Sequence, residues 1–177
     1  RLKHTNSIMA KLDRYGYRFS LDNIEKYIHD AAGIRVICSY IDDIYGIADA
    51  LLGQDDITLL TRKDYIINPK PNGYRSLHLI VEVPVYFADF KKQMKVEVQI
   101  RTIAMDFWAS LEHQLKYKQN IPNQQMIVKQ LKECADVISM TDQKMIGIRQ
   151  QIEAVSDAPT EEEILLEKLS RMDMNIG

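Results

Sequence analysis

Cysteine is almost missing from this 177-residue chain: Cys38 and Cys134 are the two present. They lie far apart, one in a strand-like run and one in a helix-like run, so they supply neither a disulfide framework nor zinc-ligand spacing. A reducing, cytoplasmic setting is the expectation. Glycine (7) and proline (5) are too sparse for a collagen-like or linker-like chain. No apolar run approaches the roughly 20 residues that a membrane span needs. An excess of either charge is also lacking, since 23 Lys and Arg stand against 25 Asp and Glu. The resulting net charge of −2 argues against non-specific nucleic-acid binding. There is no GxxxxGK[ST] loop, no GxGxxG turn and no GxSxG elbow, so a nucleotide would not be held in the P-loop or Rossmann manner. Four histidines, His4, His29, His78 and His113, are too scattered for a zinc protease. The His29-Asp30 doublet looks like that of metal-dependent phosphohydrolases, but only His4 precedes it, and the hydrolase reading is set aside.

What is present suits one soluble globular domain, with 46% hydrophobic and 27% charged residues. No secretory leader is read at the start, and the opening at Arg1 without a methionine leads us to expect residues upstream. Charge is divided along the chain. Residues 1–27 carry six cations and three anions, residues 62–75 four and one, and residues 153–177 two and seven. Two basic patches with an acidic counterweight suggest a focused anion site; solvated faces would account for them equally well.

Periodicity predicts the elements. Ile8, Leu12 and Tyr15, then Ile24, Tyr27 and Ile28, mark two short amphipathic helices. Gly33 to Tyr40 is a β-branched strand, followed by a helix through Ile44, Ile47, Ala48 and Leu51 that Gly53 can stop. A strand is expected at Ile57–Thr61, and Asp64 to Ser76, with two prolines and an Asn-Gly pair, must be a loop. Leu77–Val83 and Lys95–Arg101 alternate with period two, joined through Pro84 and a glycine-free link. From Thr102 the chain reads as helix. Ile103, Phe107, Leu111 and Leu115 share one face; a second helix is expected from about Asn123 to Ile152; and a third starts at the Thr160/Glu163 capping box after Pro159. The fold class is therefore α+β: a mixed, mostly antiparallel sheet of about four to five strands flanked by helices, with a helical C-terminal arm. The arm's apolar stripe, from Met126 through Leu131, Val137 and Ile148 to Ile152, is too long for one small sheet to cover. Oligomer formation through it is expected, with a self-folded helical hairpin as the alternative.

In Met94-Lys-Val-Glu-Val-Gln-Ile-Arg-Thr102, Glu97, Gln99 and Arg101 alternate with Val96, Val98 and Ile100. One face then presents an acid, an amide and a cation in a row. An exposed edge strand would look the same. A second carboxylate, Asp30, stands just before the strand that opens at Gly33, beside Ala31, Ala32 and Gly33, and two acids at neighbouring strand ends can share a Mg²⁺. Arg1, Lys3, Lys11 and Arg14, with Ser7, put cations on the first helical segment. They suit a triphosphate or an ordinary solvated face. Lys70, Tyr74, Arg75 and His78 fall within nine residues, where tyrosine can stack on a purine while Lys70 or Arg75 reaches a phosphate; a structural turn with a surface tyrosine is the rival.

Five motifs occur in unbroken order: Arg1-x-Lys3-x-x-x-Ser7-Ile8, Asp30-x-x-Gly33-Ile34-Arg35, Lys70-x-x-Gly73-Tyr74-Arg75-Ser76-x-His78, Val96-Glu97-Val98-Gln99-Ile100-Arg101-Thr102, and Glu112-His113-x-Leu115-x-Tyr117-Lys118. Together they resemble the synthetase domain of the RelA/SpoT family. The match covers residues 1–118, leaving 119–177 as a helical arm like that through which stand-alone small alarmone synthetases form tetramers. The resemblance implies a nucleotidyltransferase-like fold and pyrophosphate transfer from ATP to the 3′-hydroxyl of GTP or GDP, giving AMP and (p)ppGpp. It further implies that Arg1 and Arg35 sandwich adenine while Lys3, Ser7, Lys11 and Arg14 serve the ATP phosphates. Tyr74 would stack guanine with Lys70, Arg75, His78, Gln99, Arg101 and Asp106 around the acceptor. Asp30 and Glu97 would be the catalytic acids holding Mg²⁺. Partners implied are the nucleotides and a homotetramer, with no membrane and no DNA; RNA binding is left open. A catalytically silent guanine-nucleotide-binding or scaffold module is the alternative, and a pyrophosphate-releasing nucleotidyltransferase is a third reading.

Overall fold

A computed structural model describes residues 2–117 and 123–156. Five helices and four strands follow in order: α1 (Thr5–Arg14), α2 (Leu21–Tyr27), β1 (Ala32–Cys38), α3 (Ile41–Leu52), β2 (Thr58–Asp64), β3 (Leu77–Tyr86), β4 (Lys91–Thr102), α4 (Ile103–Tyr117) and α5 (Gln124–Ser156). The strands form one sheet in the order β1-β4-β3-β2, with β1 parallel to β4 and the other pairs antiparallel. The expected mixed, mostly antiparallel α+β architecture is thus observed. The Thr160 capping box falls outside the described residues.

Alternation sets the two faces of the sheet. Leu77, Leu79 and Val81 of β3 and Val98 and Ile100 of β4 are buried with Ile44 and Ala48 of α3 and Met105 of α4, forming the main core. Because side chains reverse at each residue, the same register turns His78, Glu97, Gln99 and Arg101 to the opposite face. Arg35 pairs with Gln99 and Gln99 with His78, so one row crosses three strands. Gly33 pairs with Glu97 one row along.

The strands β3 and β4 run further than expected. They pair up to Tyr86 and Lys91, closing on a tip at residues 87–90 where Phe87 and Phe90 stack at 4.6 Å. Pairing between β2 and β3 stops at Glu82, so Pro84 lies where one side of β3 lacks a ladder partner and a missing N–H is tolerated. The shared face of Ile103, Phe107, Leu111 and Leu115 is turned outward, with Ile103 64% and Phe107 59% exposed. Met105, Trp108, Ala109 and Glu112 form the buried side of α4 instead.

The first compact unit ends at Gln143 and the second starts at Lys144, inside α5, whereas the sequence placed a division at 118/119. Within the first unit, Leu131 and Ile138 pack against a small cluster of Trp108, Ala109 and Ala135. Met126 and Val137 are exposed. In the second, Met145, Ile148 and Ile152 are exposed and Arg149 pairs with Glu153 at 2.7 Å along the helix.

Leu79 is wholly enclosed between α3 and the sheet. Leu79→Ala is therefore expected to lower the unfolding free energy by about 2–5 kcal/mol, read from denaturant midpoints at unchanged slope.

Candidate active site

The N-terminal segment is pinned to the start of β1. Leu2 bridges Ala32, and the Lys3 N–H donates to the Ala31 carbonyl at 2.8 Å. That attachment, with Leu12 buried beneath α1, aims the helix along the sheet edge beside Asp30. Lys3 and Lys11 Nζ reach the two oxygens of Asp30 at 2.6 and 2.9 Å. Lys3, Ser7, Asp30, Gly33, Arg35, Glu97 and Gln99 line a cleft of about 780 Å³. That volume lies within the range of small-molecule sites, ~300–1,000 Å³.

Arg101 is the hub behind this cleft. Its side chain is 5% exposed, and burial of so large a charge requires partners. The guanidinium donates to Gln99 Oε1 at 2.5 Å, to the Tyr74 hydroxyl at 2.7 Å, to Asp106 Oδ1 at 3.1 Å and to Ser76 Oγ at 3.3 Å. Two arms lead from it to Glu97. Along one, Gln99 Nε2 donates to Glu97 Oε2 at 2.9 Å. Along the other, the Tyr74 hydroxyl lies 2.7 Å from His78 Nε2, and His78 Nδ1 lies 3.2 Å from Glu97 Oε1. The Glu97 carboxylate can only accept, so an Nδ1–H of His78 is directed at it; in the neutral ring Nε2 then accepts the Tyr74 proton, while the tyrosyl oxygen accepts from Arg101. Each oxygen of Glu97 thus has a donor.

These contacts set the acidity of the site. The hydrogen bond from His78 holds the Glu97 carboxyl below its usual pKa, against burial and aided by Gln99; the nearby Asp30 charge pushes the other way. Burial acts to raise the Asp30 pKa, but the bonds and charges of Lys11 and Lys3 outweigh it and the net shift is downward. Burial raises the Tyr74 hydroxyl, opposed by Arg101. As both acids line one cleft and Asp30 acts electrostatically on Glu97, their hard oxygens suit a divalent cation completed by phosphate oxygens and water. Among the described residues no group of three or more His, Cys, Asp or Glu side chains gathers for a metal.

The loop between β2 and β3 supplies an aromatic wall. Lys70 Nζ lies 4.6 Å from the ring centroids of both Tyr65 and Tyr74. The tyrosine rings meet edge-on at 6.0 Å, and Tyr65 also meets His78 at 5.2 Å.

Of the residues expected from sequence, Lys3, Ser7, Asp30, Arg35, Glu97 and Gln99 line the cleft, and Lys11 reaches it through Asp30. Lys70, Tyr74, His78 and Arg101 assemble beside it through the contacts above. Asp106 accepts from Arg35 and Arg101 with the same oxygen, 3.1 Å from each, so it is a bridge between two cations. Arg14 is exposed on the last turn of α1 and is not among the cleft-lining residues. Arg75 turns away from the cleft and donates to the Ala135 carbonyl of α5 at 3.1 Å. Arg1 lies outside the described residues. Tyr65, Ser76 and Asn72 were missed. Tyr65 and Asn72 stand in the proline-rich loop that was singled out, but only the fold reveals that Tyr65 backs Lys70 and that Asn72 donates to the buried Glu112 at 3.0 Å.

The family model described as "Region found in RelA / SpoT proteins" matches residues 1–122. The GTP pyrophosphokinase YwaC of Bacillus subtilis (strain 168) is 46% identical over 153 residues, 86% of this chain and 73% of that protein. The GTP pyrophosphokinase YjbM of the same organism is 37% identical over 160 residues, 89% and 74% respectively. Crystallised small alarmone synthetase 2 of B. subtilis superposes with a TM-score of 0.77 at 47% identity, over 85% of this chain and 78% of that one. Small alarmone synthetase 1 bound to its product pppGpp superposes at 0.78 with 37% identity, over 86% and 77%.

Both acids have lowered pKa values, so their contribution to stability is complete above the ordinary carboxylate range and is lost as pH falls through the folded values. Lys11→Met should move the Asp30 carboxyl titration upward in an NMR pH series. An unchanged midpoint would contradict the lysine clamp.

Proposed function

The chain belongs to the RelA/SpoT family and is a (p)ppGpp synthetase; we propose that it transfers pyrophosphate from ATP to the 3′-hydroxyl of GTP or GDP across the cleft between α1 and β4. The new bond joins the ribose 3′-oxygen to the β-phosphorus, the bond from that phosphorus to the α–β bridging oxygen breaks, AMP departs with that oxygen, and the hydroxyl proton passes to water. The observation that supports this most is the placement of the two-handed Glu97 between a cationic edge and an aromatic wall. In this reading Lys3, Lys11 and Ser7 receive the ATP phosphates, Arg35 lies along the adenine, and Tyr74 stacks the acceptor guanine with Lys70 on its phosphate side. A guanidinium plane suits a purine face, and the triphosphate supplies the negative charge that Lys3 and Lys11 meet in Asp30.

Asp30 and Glu97 would hold Mg²⁺, which would neutralise phosphate charge as it redistributes between donor and acceptor. Glu97 has a lowered pKa and is a weak base, so its part is to accept a hydrogen bond from the 3′-hydroxyl and fix its direction. His78 and Gln99 keep that carboxylate from turning. Positioning two nucleotides in line is worth at most ~7–11 kcal/mol, and most of the rate gain in this scheme comes from it and from charge stabilisation.

The exposed apolar face of α4 and the exposed apolar residues of α5 support a homotetramer assembled through the C-terminal helices, with residues 1–118 supplying the side chains that meet the nucleotides. No helix among the described residues is long and apolar enough to cross a membrane, and we place the enzyme in the cytoplasm. Nothing favours the silent-module alternative.

Incubation with ATP, GDP and Mg²⁺ is expected to yield AMP and a more phosphorylated guanosine on anion exchange. Unchanged nucleotides would indicate a binding module, and pyrophosphate release without AMP a nucleotidyltransferase. Glu97→Gln should abolish product while the fold persists by circular dichroism. Tyr74→Ala should weaken GDP binding by about 1–3 kcal/mol in calorimetry; equal affinity would remove the stacking assignment.

A further inference from the structure

The loop that carries Tyr74 is seated on α5. Gly73 has φ +89°, and a Cβ placed on it would lie 2.4 Å from the Ala135 Cβ and 3.3 Å from the Lys132 Cα, so loop backbone and helix touch with no room for a side chain. Ala135 itself is 4% exposed. On the other side of Tyr74, Arg75 donates to the Ala135 carbonyl at 3.1 Å, gripping the same helical residue. Trp108 lies 6.4 Å from the Tyr74 ring and donates to the Leu131 carbonyl at 2.9 Å, one turn earlier on α5. Asn72 closes the loop by accepting from the Tyr74 N–H at 3.2 Å while donating to Glu112 of α4. The remaining space among Gly73, Arg75, Trp108 and Ala135 is about 10 Å³, roughly the room of one water, so the seat has little slack.

We propose that Ala135 of α5, gripped by Gly73 and Arg75, is a positioning residue for the acceptor nucleotide: it fixes where the Tyr74 ring stands and so controls acceptor affinity without touching either substrate. The proposal rests on the reading that Tyr74 stacks the acceptor base. It gives Arg75 a role different from the acceptor contact expected from sequence, since its guanidinium is spent on the helix. It also makes the first half of α5 part of the catalytic unit, in keeping with the compact unit that runs to Gln143.

The test is steady-state kinetics of the full chain, with ATP and GDP varied separately, together with GDP calorimetry and melting curves. Ala135→Val drives two methyl groups at Gly73, and Arg75→Met removes the grip with a side chain of similar length. Each is expected to raise the KM for GDP about ten-fold or more while the KM for ATP stays within about two-fold, since small displacements of a binding group have effects of that order. Arg75→Lys, which can still donate to the carbonyl, should recover part of the loss. A folded Ala135→Val enzyme with both KM values unchanged would overturn the proposal. So would equal rises in both, or a loss confined to the Arg75 variants, which would return Arg75 to direct acceptor contact. Should Ala135→Val fail to fold, Ala135→Gly, which removes the Cβ against which Gly73 rests, decides by the same split between the two KM values. A wild-type protein that makes no AMP but binds GDP would refute the reaction instead, and GDP affinities of the variants would still judge the seat.

Discussion

A buried guanidinium cannot be left without partners, and much of the site's order follows from how the Arg101 charge is satisfied. It has no carboxylate pressed against it alone. Its donors are divided among an amide, a phenol, a hydroxyl and one acid that it shares with Arg35. Each of these acceptors is then fixed, and two of them hand a donor on to Glu97. A single cation beside the cleft thereby orients a carboxylate four residues away on the same strand and a tyrosine on a separate loop. Networks of this kind stay in one arrangement only when every member is satisfied, and among the described residues no buried side-chain polar atom lacks a partner.

The opposite wall is organised by a different balance. Asp30 stands between two lysines that would otherwise repel each other across the mouth of the cleft. The cations suited to a triphosphate are paired with the acid suited to a metal. In the proposed complex phosphate oxygens would take the place of Asp30 on the lysines, and the metal that of the lysines on Asp30.

Much of this was legible in the sequence, for physical reasons. Period-two alternation in Val96–Arg101 announced a strand with one chemical face, because a side chain's side of the sheet is fixed by parity alone. The Asn-Gly and proline pattern announced the loop, since those residues favour turns over regular strands. The order of five motifs announced the family. What stayed hidden depended on register and on packing between distant segments. No periodicity reveals that Arg35, Gln99 and His78 lie in one row, because strand order and offset are set by the whole sheet. Arg75 could not be separated from Lys70 by residue type, as either cation serves a phosphate; only the approach of α5 to Gly73 assigns it to the helix. The outward turn of Ile103, Phe107, Leu111 and Leu115 was equally beyond reach, since an apolar helical face reads alike whether it meets a core or a partner.

The account reduces to one geometrical claim: two nucleotides meet with the acceptor's 3′-hydroxyl at Glu97. A crystal structure with a non-hydrolysable ATP analogue, GDP and Mg²⁺ tests it most directly. The account predicts phosphates on Lys3 and Lys11, guanine on Tyr74, and the 3′-oxygen within hydrogen-bond distance of Glu97. A guanine bound elsewhere, or a 3′-oxygen turned away from that carboxylate, would contradict it.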